Sequence, residues 1–162
     1  LLLSRAEREQ GLTREHVDVE RVVEEVRRAL APQAAQKRIS IVSEGALTLW
    51  AVEKDLWEIL HNLMGNAIRY GRRGGHVKIL LRQRCIIVED DGIGIEKKHL
   101  PYLFEQFYRV DQSRDPEVRG TGLGLSIVRT LAERNGATVG VESCPGRGSR
   151  FTVCFEQKQD GD

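Results

Sequence analysis

Between Lys54 and Tyr70 the apolar residues Leu56, Ile59, Leu60, Leu63, Met64, Ala67 and Ile68 recur at helical spacing. That stripe predicts an amphipathic helix over 54–70, and such a helix must lay one face on an apolar layer. Gly71-Arg72-Arg73-Gly74-Gly75 stops it, with glycines suited to a left-handed cap. Strand-like sequence follows. Val77 to Leu81 and Cys85 to Glu89 read as a tight antiparallel pair across Arg82-Gln83-Arg84, although the link lacks an Asn-Gly or Asp-Gly signal.

The same alternation continues on both sides. Upstream, Val19, Val22, Val23, Val26, Leu30 and Ala34 mark a helix behind Asp18 as a candidate cap, with Pro32 expected to kink or break it. Ile39 to Val42 and Leu47 to Val52 read as short strands parted by Ser43-Glu44-Gly45. Downstream come a short helix from Lys97 to Leu103, a polar stretch from Arg109 to Gly120, and a helix from Leu123 to Asn135 ended by Gly136. A hairpin, Thr138 to Ser143 and Ser149 to Phe155, closes the pattern. Helices mixed with hairpins predict an α/β (α+β) two-layer sandwich, with a mixed or antiparallel sheet covered on one face.

The chain has 162 residues, 40% hydrophobic and 30% charged, which suits one globular domain. Lys plus Arg number 25 against 24 Asp plus Glu, so the net charge of +1 argues against a dedicated nucleic-acid or membrane-surface protein. No apolar run reaches the ~18 residues of a membrane span. Cys85, Cys144 and Cys154 lack metal-ligand spacing; they predict buried or half-buried free thiols in a reducing compartment, and no structural zinc. Trp50 and Trp57 are expected in or at the edge of the core.

Three segments interrupt this scaffold with polar or glycine-rich sequence. Asn62 and Asn66 stand four apart in the 54–70 helix, so both amides share a face, with Arg69 beside them and Tyr70 at the end. Amide oxygens are hard donors suited to Mg²⁺, and an arginine suits phosphate. Next, Asp90-Asp91-Gly92-Ile93-Gly94-Ile95 puts a carboxylate at a strand end. An ionised carboxylate only accepts hydrogen bonds, so it can take the amino group of adenine and repels the oxygen of guanine. Finally, Gly120-Thr121-Gly122-Leu123-Gly124-Leu125 opens a helix, whose N-terminal N–H groups favour an anion. Alone, each has an ordinary explanation: a solvated helix face, a turn, a glycine-rich linker.

Their order, together with Phe104-Glu105-Gln106-Phe107-Tyr108-Arg109 between the second and third, resembles the catalytic and ATP-binding domain of sensor histidine kinases, in the GHKL ATPase superfamily. The resemblance covers roughly Val17 to Glu156. It implies the Bergerat ATP-binding fold: a mixed, mostly antiparallel five-stranded sheet with three helices on one face. It implies ATP and Mg²⁺ as cofactors, with Asn66 as metal ligand and Asn62, Asn66 and Arg69 as the catalytic group. Nucleotide would be held by Asn66, Arg69, Tyr70, Asp90, Gly92, Gly94, Ile95, Phe107, Arg109, Arg114, Gly120, Thr121, Gly122, Leu123, Gly124 and Leu125. Arg119 lies on the same expected lid.

In hydrolysing branches of that superfamily a glutamate acts as base four residues before the metal asparagine. Here the position is Asn62, which cannot take a proton, so phosphoryl transfer to a protein is expected over hydrolysis. None of His16, His61, His76 and His99 has the context of a phosphoacceptor. The expected partners are therefore a separate dimerisation domain carrying that histidine, and a response regulator. Residues 1–16 are expected to be the tail of a dimerisation helix and a linker, 17–156 the catalytic domain, and 157–162 a polar tail. The fragment is expected to be monomeric and cytoplasmic, its parent anchored through other segments if at all. The alternatives are a serine kinase of the anti-sigma-factor type and a nucleotide-binding module without phosphotransfer.

Overall fold

The computed structural model describes residues 13–110 and 124–156. Strand β1 (Glu15–Asp18) leads into helix α1 (Val19–Gln36), followed by β2 (Ser40–Gly45), β3 (Thr48–Ala51) and helix α2 (Glu53–Arg69). Strands β4 (His76–Arg82) and β5 (Cys85–Asp90) precede a 3₁₀ helix (Lys97–Tyr102), then helix α3 (Gly124–Arg134) and strands β6 (Ala137–Cys144) and β7 (Gly148–Phe155). The main sheet has the order β2-β4-β5-β7-β6, with β2 parallel to β4 and every other pair antiparallel. The expected mixed five-stranded sheet under three helices is what forms.

Period decides the faces. On β5, Ile86 and Val88 join the core with Leu56, Ile59, Leu60 and Leu63 of α2. Asp90 continues their side of the strand, whereas Cys85, Ile87 and Glu89 take the other. On β7, Phe151, Val153 and Phe155 complete the same core layer. The β4–β5 link forms as read, with Gln83 and Arg84 at φ 52° and 61°; these are the two left-handed positions of a type I′ turn, here without glycine.

Several expectations change. Pro32 does not break α1, which runs unbroken from Val19 to Gln36. The carbonyl that loses its N–H partner belongs to exposed Arg28, and Pro32 is exposed too, so the lost bond falls on the solvent side of the helix. Strand β2 runs through Ser43-Glu44-Gly45, because its backbone pairs with β4 although only Ile41 is even half-buried. Strand β3 leaves the main sheet and pairs with β1, aligning His16 with Trp50 and Val17 with Leu49. Ordered structure therefore includes Glu15 and His16, within the stretch expected as linker.

The cysteine expectation is overturned. Cys85 and Cys154 form a disulfide across β5 and β7, and Cys144 is an exposed free thiol. The two half-cystines are register partners. Phe155 N–H donates to the Arg84 carbonyl next to them, so 85/154 is a non-hydrogen-bonded pair, where opposed side chains lie closest. Among the described residues no helix is long and apolar enough to cross a membrane.

Candidate functional site

A cavity of about 580 Å³ opens between α2, the end of β5, the segment after it, and the start of α3. Helix α2 supplies Asn62, Asn66, Arg69 and Tyr70 to its wall, as their spacing requires. The apolar stripe on the opposite side holds the helix to the sheet, with Leu56, Ile59, Leu60 and Met64 fully buried. Asn62 is oriented by its amide, which donates to the Glu58 carbonyl at 2.8 Å. A side chain at Gly124 would stand 3.0 Å from the Asn62 Oδ1, so α3 begins against that oxygen. Arg69 Nη1 donates to Asn66 Oδ1 at 3.1 Å.

Asp90 forms the far end. Its Oδ1 accepts the Gly92 N–H at 2.9 Å. Burial pushes the Asp90 carboxyl above the usual carboxylate range; N–H bonds from Gly92 and Ser149 oppose that, and the Asp91 charge adds to it. A carboxyl desolvated this way inside a cavity marks a candidate functional position. Burial also acts to raise neighbouring Asp91, but its backbone and ring bonds with His76 prevail and hold it below its ordinary value. The Asp91–His76 contacts are both 2.8 Å.

The loop after Asp90 comes close to its surroundings because it lacks side chains. A Cβ at Gly92 would stand 2.3 Å from the Tyr70 carbonyl oxygen. Gly94 has φ +73°, and a Cβ there would be 2.1 Å from the Cys144 carbonyl oxygen. Neither position admits alanine without moving backbone. Gly92 itself does not line the cavity, but its N–H holds Asp90; Gly94 and Ile95 do line it.

Of the remaining expected residues, Arg109, Gly124 and Leu125 reach the cavity. Phe107 does not: the residue is 68% exposed, on a backbone at φ +65°. Tyr108 takes the place in the wall that Phe107 was expected to fill, and its hydroxyl meets His99 Nδ1 at 2.5 Å. Arg114, Arg119, Gly120, Thr121, Gly122 and Leu123 lie outside the described residues.

The sequence reading missed Ser149 and Phe151, which also line the cavity. Register reveals them: Ser149 is the cross-strand partner of Asp90, and Phe151 follows two residues on along the same face of β7. It also missed the anchor of this wall. Buried Asp55, in the first turn of α2, accepts from Arg134 Nε at 2.8 Å and Nη2 at 2.5 Å, and from Asn135 Nδ2 at 2.8 Å. Asn135 Oδ1 in turn accepts the Val52 N–H at 2.9 Å. One network thus ties the start of α2 to the end of α3.

The donor set limits any metal. Among the described residues no group of three or more His, Cys, Asp or Glu could hold an ion. The cavity offers amide oxygens instead, which fit a cation that keeps its waters and arrives on phosphate.

Comparison with known proteins agrees with this arrangement. A family model described as "Histidine kinase-, DNA gyrase B-, and HSP90-like ATPase" matches residues 51–159. The phosphate regulon sensor protein PhoR of Pseudomonas aeruginosa is 40% identical over 126 residues, 75% of this chain and 28% of that protein. The sensor-like histidine kinase SenX3 of Mycolicibacterium smegmatis is 38% identical over 151 residues, covering 89% of this chain and 39% of its own length. This chain thus spans well under half of the curated relatives it matches. Among solved structures, Acinetobacter baumannii histidine kinase AdeS aligns over 97% of this chain and 74% of its own, with TM-score 0.74 and 25% identity. Full-length ShkA in complex with AMPPNP aligns over 88% of this chain and 30% of its own, with TM-score 0.74 and 30% identity. Architecture, motif order and relatives converge: this chain belongs to the histidine kinase-, DNA gyrase B- and HSP90-like ATPase family, on its sensor histidine kinase branch.

Proposed function

We propose that this chain is the catalytic unit of a sensor histidine kinase, which binds ATP with Mg²⁺ and presents the γ-phosphoryl group to a histidine on a separate domain. The supporting observation is one cavity with two chemically distinct ends. Asp90, half-buried and held by backbone N–H groups, suits the adenine amino group; Asn62, Asn66 and Arg69 suit a metal-bound triphosphate. Tyr70, Ile95, Tyr108 and Phe151 supply apolar surface between them.

In this reading Asp90 reads the base, accepting from its amino group while Ser149 N–H keeps the carboxylate in place. Asn66 gives the metal its amide oxygen, and Arg69 neutralises phosphate charge. Bound Mg²⁺ would withdraw charge from the phosphate oxygens. The acceptor imidazole nitrogen forms the new N–P bond, the bond from phosphorus to the bridging oxygen breaks, and ADP leaves. Asn62 cannot remove a proton from water, so the cavity holds ATP without spending it on hydrolysis. Arg109 and the lid residues Arg114, Gly120, Thr121, Gly122 and Leu123 would close over the phosphates, with Gly124 and Leu125 at the start of α3.

The acceptor domain and a response regulator are the proposed partners, the catalytic unit being 17–156 with β1 as its border. The test mixes this chain with a separately made acceptor hairpin and γ-labelled ATP. Label should appear on histidine, as an acid-labile and base-stable product, and Asn66→Ala should abolish it. Nucleotide binding without transfer to any acceptor hairpin would refute the kinase reading.

A further inference from the structure

Helix α2 delivers Arg69 and Tyr70 to the cavity from its end, where backbone carbonyls run out of helical N–H partners. Lys37, the residue that closes α1, lies over that end. Its Nζ donates to the carbonyls of Ile68 at 3.1 Å, Arg69 at 2.5 Å and Gly71 at 3.3 Å. The fourth carbonyl, that of Tyr70, accepts the Ile93 N–H at 3.2 Å. One ammonium thus places all three of its donors on one helix terminus. The lysine is itself fixed, since its own carbonyl accepts the Gly74 N–H at 2.7 Å.

This capping decides what Arg69 can do. An arginine in the last turn of a helix can either lie back along the helix or turn to the free carbonyls and the negative end of the dipole. Here those carbonyls are taken, and Arg69 lies back over the preceding turn, donating to Asn66 Oδ1 in the cavity. We propose that Lys37 is a positioning residue for nucleotide phosphate: by occupying the end of α2 it keeps Arg69 directed into the cavity without touching the ligand. The inference rests on the nucleotide-binding reading above. Burial, and then the charge of Arg69, lower the Lys37 pKa; the cationic pair repels, which also drives the guanidinium away from the helix end.

The experiment compares a non-hydrolysable ATP analogue with adenosine, by calorimetry and by amide chemical shifts, on the chain and its variants. Lys37→Met should weaken the analogue about tenfold, the order of a lost charged hydrogen bond, and leave adenosine within about twofold, because Asp90 is untouched. Lys37→Arg, which keeps charge and donors, should recover most of the loss. Arg69→Met added to Lys37→Met should cost little more. Should Lys37→Met fail to fold, Lys37→Gln carries the same expectation at smaller size. Equal affinities in the variant and the unmutated chain would overturn the proposal, as would parallel weakening of analogue and adenosine. Failure of the unmutated chain to bind the analogue would instead sink the functional reading itself.

Discussion

Removing the Cys85–Cys154 link by a double change, Cys85→Ser with Cys154→Ser, should destabilise the domain far more than it disturbs the cavity. The bond joins residues 69 apart in sequence. Freeing a loop of that length returns roughly 15 cal/mol/K to the unfolded chain, or about 4 kcal/mol at 25 °C. For a domain of this size that is a fall of roughly 10–15 °C in midpoint. The slope of stability against urea should also rise, because an uncrosslinked denatured chain exposes more surface. The cavity should hardly notice: Asp90 lies five residues along β5, roughly 17 Å from Cys85, and the β5–β7 ladder between them remains. The assay is thermal and urea unfolding, followed by the half-buried Trp50 and Trp57 and by far-ultraviolet circular dichroism, with and without dithiothreitol. Reduced native chain should match the double variant. An unfolding free energy within about 1 kcal/mol of the oxidised chain, at unchanged urea slope, would refute the reasoning from chain entropy.

Other consequences concern the two ends of the site. Asn135→Ala deletes an amide that donates to Asp55 and the Leu131 carbonyl and accepts from Val52; it should cost about 2–4 kcal/mol in urea unfolding, since buried partners are left unpaired. Asp90→Ala should weaken ATP by roughly 1–3 kcal/mol in calorimetry, and the unmutated chain should prefer ATP over GTP; equal affinities would remove Asp90 as base reader. Because burial raises the Asp90 pKa, the folded state holds that proton more tightly than the unfolded one. The free domain therefore gains stability from this group as pH falls through its raised value towards the ordinary one, and forgoes that gain at neutral pH. ATP affinity should fall as the acceptor is protonated over that same window, and Asp90→Asn should abolish that dependence.

The sequence was readable wherever side-chain chemistry repeats with a structural period. The α2 stripe, the β6–β7 alternation and the order of polar segments carried the layers and most of the cavity wall. It was silent where backbone alone decides. Strand β2 has six residues and only Ile41 half-buried, so no pattern announces its parallel pairing, and β1 buries Val17 alone. The Cys85–Cys154 bond and the place of Ser149 beside Asp90 both depend on the register between β5 and β7, which lies in no local stretch. Asp55, Arg134 and Asn135 are separated by some eighty residues. Each looks like an ordinary surface residue until the helices are packed.

The Asp55–Arg134–Asn135 network bears on how related chains can vary. Helix α3 is held at its far end through Arg134 and Asn135 and along its length by buried Val128 and Ala132, so its seat is built from residues after Gly124. Sequence inserted, shortened or exchanged between Val110 and Gly124 would then leave that seat in place. A chimera that swaps this stretch between family members should keep its melting behaviour while its grip on nucleotide changes.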